Sequence, residues 1–398
     1  ATDPAQVQVA GGITKEIADR LISMGAGIGN DGQAGSYVFT SSEDFKWLLF
    51  EMMKEAGVVL RLHSWVVDVI ADDGAVVGLV TESKEGRQAI LAKQAIDATG
   101  DGDIAVRMGV PYTVGMTEDD LSVQHGSKVG VMTPMGVMFK VGNVDVKRLL
   151  TWAGEEPSHF RTQRFARLTY DEVVACFDKG EMACCTISTG FDEAPKGFQV
   201  YNLPTEGVVT LCCPFAHGDG TKVEDLTNAE MAMAEIVRQW MGNIVKLPGF
   251  ETAFLLDCPE IGVRETRHIA GDYLLTIEDV YNNKEFPDCI GRGSHPIDAP
   301  NRVPWLKDVA TAFPDRWSFG IPYGCLLAKG VPNLHVVGRC LSATHEASGS
   351  IRPTVQCMIT GEAAGAAAAL CTKQGIANLR KLDIKQLQET LAAQGVVL

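Results

Sequence analysis

No C-x-x-C spacing occurs in the 398 residues, although the sequence holds eleven cysteines. That removes the zinc-ribbon, iron–sulfur and thioredoxin-type readings. No run of about 18 apolar residues is present, so no membrane-spanning helix is expected. No signal-peptide pattern is visible, and the sequence starts at Ala1 rather than Met. "ATDPAQVQVAGGI" therefore reads as a processed, trimmed or tagged start. Positive charge is scarce: 35 Lys and Arg stand against 50 Asp and Glu, a net charge of -15. Nucleic acid and anionic membranes are poor partners for such a chain. No two histidines have metal-ligand spacing on one element, so no metal is expected. Internal repeats and low-complexity segments are also missing.

The remaining composition is that of a soluble globular protein, with 46% hydrophobic and 21% charged residues. The length allows two or three domains around a large core. The 41 glycines predict many tight turns or close approaches of backbone to a ligand. An odd number of cysteines in a long chain fits free thiols in a reducing compartment, hence a cytoplasmic location. The adjacent pairs Cys184-Cys185 and Cys212-Cys213 are expected to be buried small residues rather than bridges.

Helical periodicity places Ile13, Ile17, Leu21 and Met24 on one face, with Gly25 as a stop. Residues 42–56 repeat the pattern with Phe45, Leu48, Leu49, Met52 and Met53, behind a Ser41 or Ser42 cap. "VVLRLHS" (58–64) reads as a strand, and 65–83 as two strands around Asp73-Gly74. "QAILAKQAIDATG" reads as another strand pair, ending at Thr99-Gly100. Further on, "GVMTPMGVMFKVG" and "GVVTLCCPF" are strand-like. A capping box, Thr227-x-x-Glu230, precedes a helix over 231–245. Residues 282–317 form an irregular excursion rich in Pro, Gly, Asp and Arg. "NLHVVGRC" is a buried strand running into a turn. A long helix is expected from Pro353 to about Cys371.

"AIDATGDGDIAVRMGVPY" (95–112) contains G-x-G-x-x-A at Gly100, Gly102 and Ala105. A nicotinamide fingerprint would need a full helix, a second strand and an acid at its end. Here the helical stretch is stopped by Pro111, and Glu118 and Asp119 follow no apolar strand. A nicotinamide-only dehydrogenase is therefore disfavoured.

"IDATGDGDIA" resembles instead the second flavin-contact motif of two-dinucleotide-fold flavoproteins. More closely, it is similar to the FAD-dependent oxidoreductase family related to the glutathione reductase and fumarate reductase flavoproteins. Four further stretches carry the resemblance. They are "KEAGVVLRLHSWVVDV", "GDGTKVEDLTNAE", "IGVRETRHIAGDYLLTIEDV" and the segment from "GIPYGCLL" to "GEAAGAAAA". Together they cover most of residues 6–372 in the family's order.

The resemblance implies an α/β fold. A glutathione-reductase-like FAD-binding domain would be assembled from 1–112 and 318–372, with a mixed α+β substrate domain inserted at 113–317 and a tail helix in 373–398. The family's opening unit, strand, G-x-G-x-x-G, helix, strand and acid, is not in this sequence. "GAGIGN" (25–30) breaks the pattern at Asn30 and follows a helix, so it reads as a turn. Three explanations stand: a separate chain supplies the unit, the unit was clipped, or the protein is a remnant.

The resemblance also implies FAD contacts by Val66, Ala98, Thr99, Gly100, Asp101, Gly338, Arg339, Ile351, Pro353, Thr354 and Val355. Gly100 would let backbone approach the cofactor. Asp101 or Asp103 would bind a cofactor hydroxyl or only cap the next turn. Arg339 suits a pyrophosphate, or is a surface arginine. The start of the Pro353 helix carries unpaired N–H groups and partial positive charge, which would support reduced flavin. His345 is the expected acid–base group and Arg352 the expected anion holder, with Glu346 orienting His345. A merely structural His345 is the alternative. Arg264, Arg267, His295, Asp298 and His217 are weaker substrate candidates, and the two arginines could instead be structural ion pairs. The expected function is hydride transfer between a small polar organic substrate and flavin N5, in a homo-oligomer. The alternative is a non-catalytic subunit or remnant that keeps the fold without flavin.

Overall fold

A computed structural model describes residues 8–29, 38–162, 168–295, 297–298 and 318–398. The expected excursion at 282–317 lies mostly outside them, as does Asn30.

The helix Gly12–Ser23 buries Thr14, Ile17 and Leu21. It stops where Gly25 adopts φ +70° and its N–H donates to the Ile22 carbonyl at 2.9 Å. Ser41 caps the next helix, Ser42–Glu55, by accepting from the Glu43 N–H. Ile17, Leu21, Ala26 and Leu48 close a small core between the two helices. Three antiparallel strands follow: Trp65–Asp72, Ala75–Ser83 and Gly86–Leu91. The first turn is the expected Asp73-Gly74, both at positive φ.

Residues 58–64 do not form the expected strand. Val58, Val59, Leu60 and Leu62 are exposed, Val59 at 85%. A ladder begins only at Trp65, where Glu82 becomes available as a partner. Without a neighbouring strand an apolar segment cannot satisfy its backbone by pairing.

Strand Ala95–Asp97 pairs in parallel with Leu334–Val336, so segments more than 230 residues apart meet in one ladder. Among the described residues no strand lies on the other edge of Ala95–Asp97. Tyr112–Val114 pairs with Arg267–Ile269 where the chain leaves this region and returns.

Between them lies a six-stranded antiparallel sheet. Its order is Phe254–Asp257, Met135–Gly142, Val209–Ala216, Gly197–Asn202, Cys184–Ser188, Phe160–Thr162. Alternate residues such as Val137, Phe139 and Val141 point into one core. The helix Val223–Ile244 joins that core through Met233, Val237, Trp240 and Ile244.

That helix starts four residues ahead of Thr227. The hydroxyl of Thr227 bonds the Val223 carbonyl, so the expected capping box does not form. Asp219 and Asp225 organise the entry instead, through a bond from the Asp219 N–H to Asp225 Oδ2.

The long helix Thr354–Gln374 has Pro353 as N-cap and Gly375 as C-cap, its last residue three beyond the expected stop. Ala363, Ala364 and Ala367 are fully buried, which lets neighbours approach its axis. Glu362 accepts the Ile13 N–H at 3.0 Å, tying this helix to the first. A last helix, Ile384–Ala393, packs on it through Leu387 and Leu391. The architecture is mixed α/β.

Candidate functional site

The loop after Ala95–Asp97 is organised by a buried carboxylate. Asp97 Oδ1 accepts from the Thr99 N–H (3.1 Å) and hydroxyl (2.7 Å), while Oδ2 accepts from the N–H groups of Ile104 (2.8 Å) and Ala105 (3.0 Å). Asp97, not Asp101 or Asp103, caps the short helix Asp103–Arg107. The sequence reading missed this because the cap lies six residues ahead of the helix. Asp101 is used otherwise: its Oδ1 accepts from Arg339 Nη2 at 2.6 Å and from Thr266 Oγ1 at 2.9 Å.

Gly100 sits at φ +80°, and an added Cβ would stand 2.9 Å from the Arg339 guanidinium carbon. In this structure glycine therefore makes room for an arginine as well as for the turn. Gly338, at φ +78°, donates its N–H to Thr360 Oγ1 on the long helix at 3.2 Å.

These segments enclose a cleft of about 400 Å³. Its walls are Ala98, Thr99 and Gly100; Val337, Gly338 and Arg339; Val263 and Arg264; and Arg352, Cys357 and Gly361. Three arginines thus meet in one cleft. Arg352 Nη2 donates to Asp298, to Oδ2 at 2.7 Å and to the carbonyl at 3.0 Å. Arg264 Nη1 lies 3.6 Å from the same Oδ2, its Nε donates to the Pro134 carbonyl, and its guanidinium lies over Phe215. Among the described residues, Nε of Arg339 and Nε of Arg352 are buried without a hydrogen-bond partner. No side chain caps the start of the long helix. The result is a positively polarised wall with unused donors.

Cys357 had no place in the sequence expectations, because nothing in its spacing sets it apart. Its Sγ donates to the Arg352 carbonyl at 3.0 Å. Burial pushes its pKa up to about 11, against the pull of Arg339 and Arg352.

Not every expected residue lines this cleft. Val66 is half-buried in its strand and packs on the core beneath it. Ile351 is fully buried in another core. Arg267 spends Nη1 on the Asp101 carbonyl (2.9 Å) and Asp103 Oδ1 (3.1 Å), the structural ion-pair arrangement. His217 is exposed beyond the end of a sheet strand, and His295 is half-buried after the strand Cys289–Gly293. Pro353, Thr354 and Val355 begin the helix whose next turn reaches the cleft at Cys357.

His345 is buried behind the cleft, at the start of the helix His345–Ile351. Its Nδ1 lies 2.7 and 2.9 Å from the two carboxylate oxygens of Glu265. His268 Nε2 approaches Glu265 Oε1 at 2.8 Å, and the Thr133 N–H donates to Oε2. Burial alone would raise the pKa of Glu265; the two imidazoles outweigh it and hold the carboxyl well below its usual range. Burial opposes charge on His345, yet Glu265, with Asp120 and Glu346 beyond, holds its pKa above the ordinary imidazole value. Glu346 does not touch His345 by a hydrogen bond; it accepts from the Leu121 and Ser122 N–H groups.

The sequence model of one family, described as FAD dependent oxidoreductase, matches residues 2–391. The chain belongs to the FAD-dependent oxidoreductase family. It is an enzyme family, and its cofactor is FAD. The flavoprotein resemblance of 96–105 and 320–369 is thereby borne out.

Comparison of this FAD-dependent oxidoreductase with curated proteins finds no match. Solved structures similar to it include the following three. The flavin-dependent brominase Bmp2 shares 11% identity over 96% of this chain and 70% of its own, with a TM-score of 0.40. A geranylgeranyl bacteriochlorophyll reductase-like protein from Thermoplasma acidophilum shares 11% over 93% and 67%, with a TM-score of 0.40. CabE, an aromatic hydroxylase from angucycline biosynthesis, shares 9% over 97% and 60%, with a TM-score of 0.42. The family match assigns the chain; these likenesses add no further argument. No helix among the described residues is long and apolar enough to cross a membrane.

The cleft residues fit FAD. A dinucleotide needs donors for its phosphates and an electropositive support for the flavin ring. Unpartnered Arg339 Nε and Arg352 Nε and the uncapped helix start supply both.

Proposed function

We propose that this oxidoreductase binds FAD in the cleft between 98–101, 337–339 and the start of the long helix. There it would move a hydride between a small polar organic substrate and flavin N5. One observation carries the reading: Arg264, Arg339 and Arg352 converge on the cleft beside an uncapped helix start. When bound, FAD supplies a two-electron acceptor or donor at N5. Arg339, braced by Asp101, would hold phosphate charge. The N–H groups of Thr354 and Val355 would face anionic oxygen with the helix dipole behind them. Ala98, Thr99 and Gly100 would offer backbone. Val66 and Ile351 would support this site from the packing around it.

Arg352 and Arg264 share the carboxylate of Asp298, which is half exposed. A substrate carboxylate could replace Asp298 between the two guanidiniums, so an anionic substrate is favoured. His345 would hold the proton that accompanies the hydride. Residues 1–112 and 318–372 would form the FAD domain in a glutathione-reductase-like arrangement, and 113–317 the inserted substrate domain. His217 and His295 would lie on the substrate side. The described free cysteines favour a reducing compartment, and we place the protein in the cytoplasm.

The second proposal concerns a partner. Parallel sheets are almost always covered and extended on both sides. Among the described residues Ala95–Asp97 has no strand on its other edge, and Val59, Leu60, Leu62 and Trp65 are exposed. A strand–glycine loop–helix unit from another polypeptide segment would pair with that edge.

His345→Ala is the direct test of the catalytic reading. Loss of turnover with FAD retained is the expected result. Unchanged turnover removes the role of His345, and absence of FAD binding at any concentration favours a remnant without flavin.

A further inference from the structure

Two segments build both the cleft and a buried acid–base cluster behind it. Arg264 and Thr266 face the 98–101 loop, while Glu265 between them carries the imidazoles of His345 and His268. The helix His345–Ile351 likewise begins at the cluster and hands over to Arg352 in the cleft.

Glu265 is almost wholly buried, at 2% exposure. An isolated buried carboxylate is costly, and three N–H groups meet this one: His345 Nδ1, His268 Nε2 and the Thr133 amide. With Glu265 ionised, His345 Nδ1 must donate. That leaves His345 Nε2 as the one ring position free for proton exchange. Among the described residues Nε2 has no hydrogen-bond partner, and neither has Nδ1 of His268. The charged groups facing His345 are Glu265, Asp120 across the loop, and Glu346 on its own helix; His268 competes for Glu265.

We propose that Glu265 is a positioning residue that holds Nδ1–H of His345 and leaves Nε2 as the ring position that exchanges a proton with the substrate. On giving up that proton to the substrate, the imidazolium becomes a neutral ring that keeps Nδ1–H on the still-anionic carboxylate. No electrons move in this step. The inference rests on the reading of His345 as the acid–base group, but it has its own readout.

The test is a nuclear magnetic resonance titration of the histidine ring protons and nitrogens in the full chain without added cofactor. The His345 signal is identified by its loss in His345→Gln. In the wild type its midpoint should lie above the ordinary value of about 6.5, with the proton lost from Nε2 and kept on Nδ1. In Glu265→Gln the proton affinity of His345 should fall tenfold or more. A wild-type midpoint below the ordinary value overturns the inference even if the variant does not fold. So does an unchanged midpoint in a folded Glu265→Gln. Failure of the catalytic reading shows separately, as turnover that survives His345→Ala while the titration behaves as stated.

Discussion

The guanidinium carbon of Arg339 lies 2.9 Å from where a β-carbon on Gly100 would stand. Glycine at 100 and arginine at 339 are therefore coupled choices. Gly100→Ala should push Arg339 off Asp101 and strain a φ of +80°. A left-handed non-glycine residue costs about 1–2 kcal/mol. The variant should melt several degrees lower and bind FAD more weakly. A melt and an FAD affinity equal to wild type would show that Arg339 moves freely.

Asp97 accepts four bonds from the loop and helix it precedes. Asp97→Asn keeps one carbonyl-type oxygen and cannot serve Thr99 and the helix amides together. Buried donors left without an acceptor cost about 1–3 kcal/mol. Urea unfolding should show a loss in that range, and a loss under about 0.5 kcal/mol would remove the capping role.

Much of this was legible from the residues alone. The first two helices, the Asp73-Gly74 turn and the start of the long helix follow from local caps, periodicity and turn chemistry. The convergence of Gly100, Arg339 and Arg352 followed from resemblance, since no local rule joins positions more than 230 residues apart. Three features were illegible for physical reasons. Segment 58–64 has a strand's composition, but strand formation requires a neighbour. Thr227 sits in a capping pattern, but the helix began earlier on its own entry loop. Glu265 carries no local sign of its role, because its two imidazole partners are set by tertiary packing.

His335 is fully buried, with Nε2 2.8 Å from the Tyr323 hydroxyl. Burial, helped by Arg380, pulls its pKa from 6.5 down to about 3. The unfolded chain binds this proton readily and the folded protein does not. Stability from this group is thus whole above 6.5 and is lost as pH falls toward 3. The slope grows from about 0.7 kcal/mol per pH unit near pH 6.5 toward about 1.4 near pH 5. Glu362, whose pKa burial raises above 4.5, contributes an opposing slope just above that pH. Glu265, whose pKa is lowered, loses its contribution only in stronger acid, and His345, whose pKa is raised, only as pH climbs. Denaturant melts between about pH 5 and 6.5 should show the slope in wild type and a flatter line in His335→Gln.

Cys357 lines the cleft with a thiol pKa near 11. The thiolate is the reactive form, so alkylation should be slow at neutral pH and quicken about tenfold per pH unit. Mass spectrometry of iodoacetamide-treated protein should show that dependence, and added FAD should slow labelling at Cys357 while Cys258, exposed elsewhere, is unaffected. Equal labelling of Cys357 with and without FAD would place the cofactor away from this wall.

The most direct measurement is a titration of FAD into the full chain, read by quenching of flavin fluorescence, beside the same titration with Arg339→Ala. Saturable quenching in wild type, weakened tenfold or more in the variant, is the predicted result. Identical curves for the two proteins, or no quenching in wild type up to millimolar FAD, would contradict the assignment of this cleft.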